Sequence, residues 1–294
     1  MHAISPRQLE VFVAIAGAGS VRAASDRLFL SQPAASMALA EMERQIGYAL
    51  FARERGRLHL NDRGRELLPL ARELVERHAE FGRRAEGSVA ELTGDIGIGA
   101  SNTVGNYLVG DLLGSFAVDY PGVALRLGVA NTARIAQGVV DHAFDIGCVE
   151  GPVNHPAIES RPWREDSLVV CARPDHRLAG KSRLKREQFA GEQWVLRERG
   201  SATRALSEQA LAALPEGRVV LELDQAEAIK QAVIAGIGIA CLPRVAIVDA
   251  VKTGRLAVLP TPFLELKRTL SILLHRQRYR GAVIEAFLAT IASA

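Results

Sequence analysis

At 294 residues the chain is too long for one ordinary core and points to two or three compact units. Its 48% apolar content supplies those cores and excludes a disordered chain, while the longest apolar run, AVIAGIGIACLPRVAIVDAV, is broken by Gly, Pro and Arg and excludes a membrane span. The net charge of +3 is small, but it is focused: residues 44–65 carry Arg44, Arg53, Arg55, Arg57, Arg63 and Arg65 against only Glu54 and Asp62.

The opening MHAISPRQLE has no positive stretch followed by an apolar one, so no signal peptide is expected and the cytoplasm is the expected location. Ser5, Pro6 and Gln8 form a capping box for a first helix with Leu9, Phe12, Val13 and Ala16 on one face. Gly17 and Gly19 are expected to end it. Ser20 caps a second helix to about Leu28, with Ala23, Ala24 and Leu28 inward, and Phe29 and Leu30 are expected to fill a turn. Ser31 caps a third helix with Pro33 in its first turn.

In that third helix Ala35, Leu39, Met42 and Ile46 share one stripe. Gln32, Ser36, Met37 and Ala40 lie outside it. A helix start rich in small residues can approach DNA closely, and its free N–H groups favour phosphate. Gln32 can contact adenine with two hydrogen bonds, and Ser36 can bond several base edges. The alternative is a three-helix bundle with a solvated polar face. The arginine-rich segment directly after the third helix weighs against that alternative. Leu50, Phe51, Leu58 and Leu60 flank ARERGR, with Gly56 at the bend. That pattern predicts a two-stranded wing whose Arg53, Arg55 and Arg57 grip phosphates or enter the minor groove.

Asn61 caps a long helix predicted from Asp62 to Leu92. Leu67, Ala71, Leu74, His78, Phe81, Ala85, Ser88 and Leu92 recur at spacings of four and three, the seam of a partner helix. About 30 residues span roughly 45 Å, and so long a helix calls for dimerisation. His78 is read as a packed residue of that seam.

These pieces, RQLEVFVAIAGAGSVRAASDRLFLSQPAAS, the LF before the wing, and LNDRGRELLPLAREL, resemble the LysR-type family of bacterial transcription regulators. The resemblance is close over about the first 90 residues and holds in outline beyond. It implies α/β architecture with an all-α-dominated N-terminal domain: a winged helix-turn-helix (residues 1–61), a linker dimerisation helix (62–92) and a two-lobed effector-binding domain (93–294). It also implies a homo-oligomer, a dimer of dimers, with RNA polymerase as a further partner and no membrane. DNA contacts are assigned to Ser31, Gln32, Pro33, Ser36, Met37, Arg53, Arg55 and Arg57. Met37 is a departure, because many members carry arginine there. Methionine cannot donate to phosphate or guanine, so an apolar contact to a thymine methyl is expected instead.

After Leu92 strands alternate with helices. GDIGIGAS, VALRLGVAN and DIGCVEG read as strands separated by the helices NYLVGDLLGSFAVDY and TARIAQGVVDHAF, a βαβαβ unit with a parallel sheet. SLVVCAR opens a second lobe, taken as residues 163–265. There QWVLRERGSATRALSEQAL reads as strand, loop and helix, and VVLELDQAEAIKQAVIAGIGIACLP as strand, helix and short strand. TLSILLHR and GAVIEAFLATI then return the chain to the first lobe, residues 93–162 and 266–294. Cys148, Cys171 and Cys241 lie far apart in apolar runs and are expected to be buried reduced thiols, with no metal site.

Ligands of such sheets sit beyond the carboxyl ends of strands. Three loops there carry suitable chemistry: Ser101, Asn102 and Thr103; Asn131 and Thr132; and Ser201, Thr203 and Arg204 after Gly200. Hydroxyls and free N–H groups suit a small anionic metabolite, with Arg204 as counter-charge. The same residues also serve as ordinary helix caps. GSATR resembles the GSGTR segment of a branch of the family that senses small metabolites, with Ala202 in place of the second glycine. No cofactor is implied. The expected function is a sequence-specific DNA-binding regulator, reading an interrupted palindrome in double-stranded DNA under control of that effector. A solute-binding protein and an enzyme built on the α/β lobes are the alternatives. The second lacks a nucleophile elbow, phosphate loop, zinc signature and acid–base pair, and no catalytic residue is assigned.

Overall fold

The structure, a computed structural model, describes residues 4–54, 57–85 and 92–293. Local capping signals set the N-terminal helices. Ser5 Oγ accepts from Gln8 N and Ser5 N donates to Gln8 Oε1, starting α1 (Pro6–Ala18). Gly17 stays inside that helix, and Gly19 alone ends it, at φ 68°. Ser20 caps α2 (Val21–Arg27), and Ser31 caps α3 (Gln32–Ile46), which Gly47 ends at φ 90°. Phe29 does not fill the intervening turn as expected. It adopts φ 54° and is 97% exposed. The hairpin of β1 (Phe51–Glu54) and β2 (Arg57–Leu60) pairs Phe51 with Leu60.

Asn61 Oδ1 accepts from Gly64 N at 2.8 Å and opens α4 (Asp62–Ala85). Leu92 lies beyond this helix, outside any element, and Ser88 lies outside the described residues. Two positions of the expected seam, Leu67 and Ala71, turn inward, while Leu74, His78, Phe81 and Ala85 of it are exposed. Leu68 and Ala71 are buried with Phe12, Ala35 and Leu50, and Leu67 packs against them, so this face of α4 closes its own chain's helical core. The large apolar side chains left exposed on the helix, among the described residues, are Leu70, Leu74 and Phe81.

Lobe 1 begins with β3 (Gly94–Ser101), α5 (Asn102–Tyr107), α6 (Val109–Asp119), β4 (Val123–Ala130), α7 (Thr132–Val140) and β5 (Ile146–Glu150). The predicted parallel unit is present, with β3 between β4 and β5. The first crossover differs: helix starts already at Asn102 and breaks at Leu108, whose φ is −126°. The chain then enters lobe 2 along β6 (Ile158–Ala172), of which SLVVCAR supplies only the second half. Lobe 2 continues with β7 (Gln193–Arg197), α8 (Ala202–Leu211), β8 (Arg218–Leu223), α9 (Ala226–Ile234), β9 (Ala240–Pro243), and two unanticipated elements, α10 (Arg244–Lys252) and β10 (Ala257–Val258). The return is β11 (Lys267–His275), followed by α11 (Ala282–Ser293).

One seven-stranded sheet, ordered β10-β6-β11-β5-β3-β4 with β9 also on β6, therefore runs through both lobes. Along β6 and β11, Leu270 faces Arg164 while Ser271 faces Pro162, which leaves Trp163 as a bulge at the lobe boundary. Beyond it Leu168 and Val170 enter one core with Trp194, while Val169 and Cys171 enter another with Ile229. That alternation is what a strand covered on both faces requires. All three cysteines are buried and free.

Candidate functional site

Two surfaces gather the candidate residues. The first is the outer face of α3. Ala35, Leu39 and Met42 anchor the helix inward, so Ser31, Gln32, Pro33, Ser36 and Met37 are all exposed at its N-terminal end, Met37 by 71%. Ser31 Oγ accepts from Ala34 N at 3.3 Å and the Ser31 carbonyl from Ala35 N at 3.1 Å; Pro33 has no N–H, so Gln32 N is the first-turn donor left at the positive end of the helix dipole. Arg53 and Arg57 stand on the two strands of the hairpin, opposite Leu58 and Glu54 respectively. Arg55 lies outside the described residues.

The second is the cleft between the lobes, and here the three predicted loops converge. Ser101 ends β3, and Asn102 and Thr103 open α5; all three are buried. Asn131 caps α7 by accepting from Arg134 N, and Thr132 Oγ1 donates to Glu150 Oε2 at 3.0 Å. Ser201 caps α8 from the other lobe. Gly200, at φ 86°, offers its carbonyl across the cleft to Ala133 N at 3.2 Å. A Cβ on Gly200 would sit 3.3 Å from the Ala133 Cβ, so this close approach depends on glycine. Asn102 Nδ2 also crosses, donating to the Asp224 carbonyl at 3.3 Å.

The cation of the cleft is not the expected one. The Arg204 guanidinium is held by its own lobe: Nε donates to Glu208 at 2.7 Å, and Nη1 donates to Glu222 at 2.8 Å and to the Arg197 carbonyl at 2.6 Å. One helical turn on α8 and the facing strand β8 supply those acids, so Arg204 is held within lobe 2 while still lining the cleft. Arg268 on β11 occupies the centre instead. Its Nη1 donates to Thr203 Oγ1 at 2.9 Å and its Nη2 to Thr103 Oγ1 at 3.4 Å, one threonine from each lobe. Nε donates to Asp166 at 2.7 Å, and Glu150 stands 3.8 Å from Nη2.

Glu150 is nearly fully buried, which favours its neutral form. The Arg268 charge and the Thr103 and Ser101 hydroxyls outweigh burial and hold its carboxyl below the ordinary range. The centre thus has one guanidinium and two carboxylates. A pocket of about 810 Å³ opens against Thr132, Glu150, Arg268 and the start of α8, with Arg199 and Lys267 at its exposed edge.

Comparison with known proteins identifies the two parts of the chain that carry these surfaces. Residues 6–65 match the family described as "Bacterial regulatory helix-turn-helix protein, lysR family", and residues 90–294 match the "LysR substrate binding domain". The chain is 42% identical to the HTH-type transcriptional regulator YeiE of Escherichia coli over 98% of this chain and 97% of that one. Full-length OxyR from Pseudomonas aeruginosa shares the fold at a TM-score of 0.79 and 22% identity, over 99% of this chain and 95% of that one. The CcmR regulatory domain of Synechocystis, solved in complex with 2-PG, matches at a TM-score of 0.64 and 28% identity, over 68% of this chain and 97% of that one.

Proposed function

The chain belongs to the LysR family of bacterial transcriptional regulators, and we propose that its grip on DNA is set by a small anionic metabolite held between Arg268, Thr103, Thr203 and the start of α8. The observation that carries this reading is the single guanidinium that joins a threonine of each lobe. A ligand that replaces either contact changes how the lobes are held together, and that is a differential interaction between two states. The CcmR domain bound to 2-PG supports the ligand class, because that domain is related to this one along its length. Its relatives read DNA, and here Ser31, Gln32, Pro33, Ser36, Met37 and the wing arginines form the reading surface. Two copies joined through α4 read an interrupted palindrome, with half-sites one helical turn or a multiple apart. Pairing of such dimers and contact with RNA polymerase complete the proposed assembly.

A melting-temperature screen of small anions on the full chain tests the cleft. An effector raises the melting temperature of the native protein, and Thr203→Ala loses most of that rise while still binding operator DNA. An effector response unchanged in Thr203→Ala removes this loop from the site.

A further inference from the structure

A second cavity, of about 170 Å³, lies where the DNA-reading helices and α4 meet lobe 1. Its apolar lining includes Val13 of α1, Val75 and Ala79 of α4, and Val283 and Ile284 of α11. Four guanidiniums also line it, Arg27, Arg72, Arg126 and Arg278, against the three carboxylates Glu76, Asp95 and Asp145.

Pairing accounts for most of that charge. Asp95 takes Arg27 and, at 2.6 Å, Arg126. Asp145 accepts from Gly97 N at 2.5 Å, pairs with Arg278, and stands 3.7 Å from Arg72. Arg72 also donates to the His142 carbonyl at 2.5 Å. Arg278 is the group left wanting. Its side chain is 8% exposed, and its Nε and Nη1 have no acceptor among the described residues. Glu76, 3.7 Å away, is too far to accept from it. A buried guanidinium with two orphaned donors is costly. The excess of positive charge is felt at Arg72, whose pKa is lowered by burial and by the Arg278 charge.

We propose that this junction is a second ligand site, which takes a small monocarboxylate with a compact apolar body: the carboxylate on Arg278 and Arg72, the body against Val13, Val75 and Val283. The carboxylate supplies Arg278 with the acceptor it lacks. The volume suits the body, since an apolar cavity of about 150 Å³ holds a benzene-sized molecule. The walls come from the reading helices, the linker and lobe 1 together. Occupancy therefore fixes how the reading unit sits on the effector domain, whatever fills the inter-lobe cleft.

Calorimetry on the full chain with isovalerate, its neutral amide and inorganic phosphate tests this. Isovalerate is expected to bind at least about tenfold more tightly than the amide or phosphate, about 1.4 kcal/mol. Arg278→Met and Val75→Phe each weaken isovalerate at least about tenfold. Val75 belongs to none of the buried cores, so its enlargement fills the cavity without disturbing them. Thr203→Ala leaves isovalerate binding unchanged, which separates this site from the cleft. The proposal is overturned by absence of binding up to about 10 mM, by equal affinity for acid and amide, by tighter binding of phosphate, or by loss in Thr203→Ala instead of Val75→Phe. If Arg278→Met does not fold, Val75→Phe and the acid–amide pair decide.

Discussion

Glu76 shows how one residue at a domain junction couples stability to pH. Burial raises its carboxyl to about 7, against the pull of the Arg278 guanidinium. An acid raised above its unfolded value favours the fold fully at low pH, and that advantage is lost as pH rises towards about 7. Glu76→Gln is therefore expected to melt higher than the native chain at pH about 8, with the difference shrinking below about 5. His142, whose carbonyl accepts from Arg72, moves the other way, lowered to about 4 by burial and by the charges of His275 and Arg278, so its contribution is lost only as pH falls from about 6.5 to about 4. A melting difference for Glu76→Gln that is flat from pH 5 to 8 contradicts this account. On the reading face, Gln32→Ala is expected to reduce operator preference by about tenfold to a hundredfold, because a two-bond base contact is worth about 1–3 kcal/mol of discrimination. Arg55→Ala weakens specific and random duplexes alike. Binding isotherms on both duplexes check the pair, and equal weakening by the glutamine change reverses the assigned roles. The capping residues Ser5, Ser20, Ser31, Asn131 and Ser201 were legible in the sequence, since each acts on a neighbour three residues away. Arg268 was not. Its two threonines lie 165 and 65 residues off, and no local pattern marks a convergence set by sheet topology.

At the scale of elements, α4 has three duties, and its sequence pattern blends them. Leu67, Leu68 and Ala71 serve the helical core. Arg72, Glu76 and Glu80 turn to lobe 1, where Glu80 accepts from the Tyr279 hydroxyl at 2.5 Å and Arg77 stacks 4.3 Å over that ring. Leu70, Leu74 and Phe81 remain exposed, with Phe81 74% open. A heptad count reads all apolar positions as one seam, because periodicity cannot tell an intramolecular partner from an intermolecular one. We propose the outward trio as the surface for a second α4. Leu74→Asp is expected to shift the protein to lighter species in sedimentation velocity while its helical core melts as before, since Leu74 is absent from that core. An unchanged sedimentation profile places the self-contact elsewhere. The βαβαβ unit was legible for the opposite reason: its apolar runs are short, separated by turn residues and internally paired. The early break at Leu108 was missed because the apolar pattern continues through it from Val104 to Leu113.

The whole molecule is organised by the long strand pair of β6 and β11, which share a register from Ile158 opposite His275 to Ser167 opposite Lys267. The chain pattern divides the lobes into separate bodies, but the sheet passes from one to the other without interruption, apart from the bulge at Trp163. The register shift at Trp163 is where this pairing can twist, and Arg268 nearby bonds a threonine of each lobe. The same continuity has a practical consequence for anyone subcloning the gene. A fragment ending at the lobe borders, residues 163–265, strips the partner from residues 164–167 and bares a row of backbone donors and acceptors. It is expected to be recovered from expression as aggregate, whereas residues 92–293 stay in the supernatant. Recovery of a soluble, cooperatively melting fragment would mean that half of this ribbon holds its shape unaided.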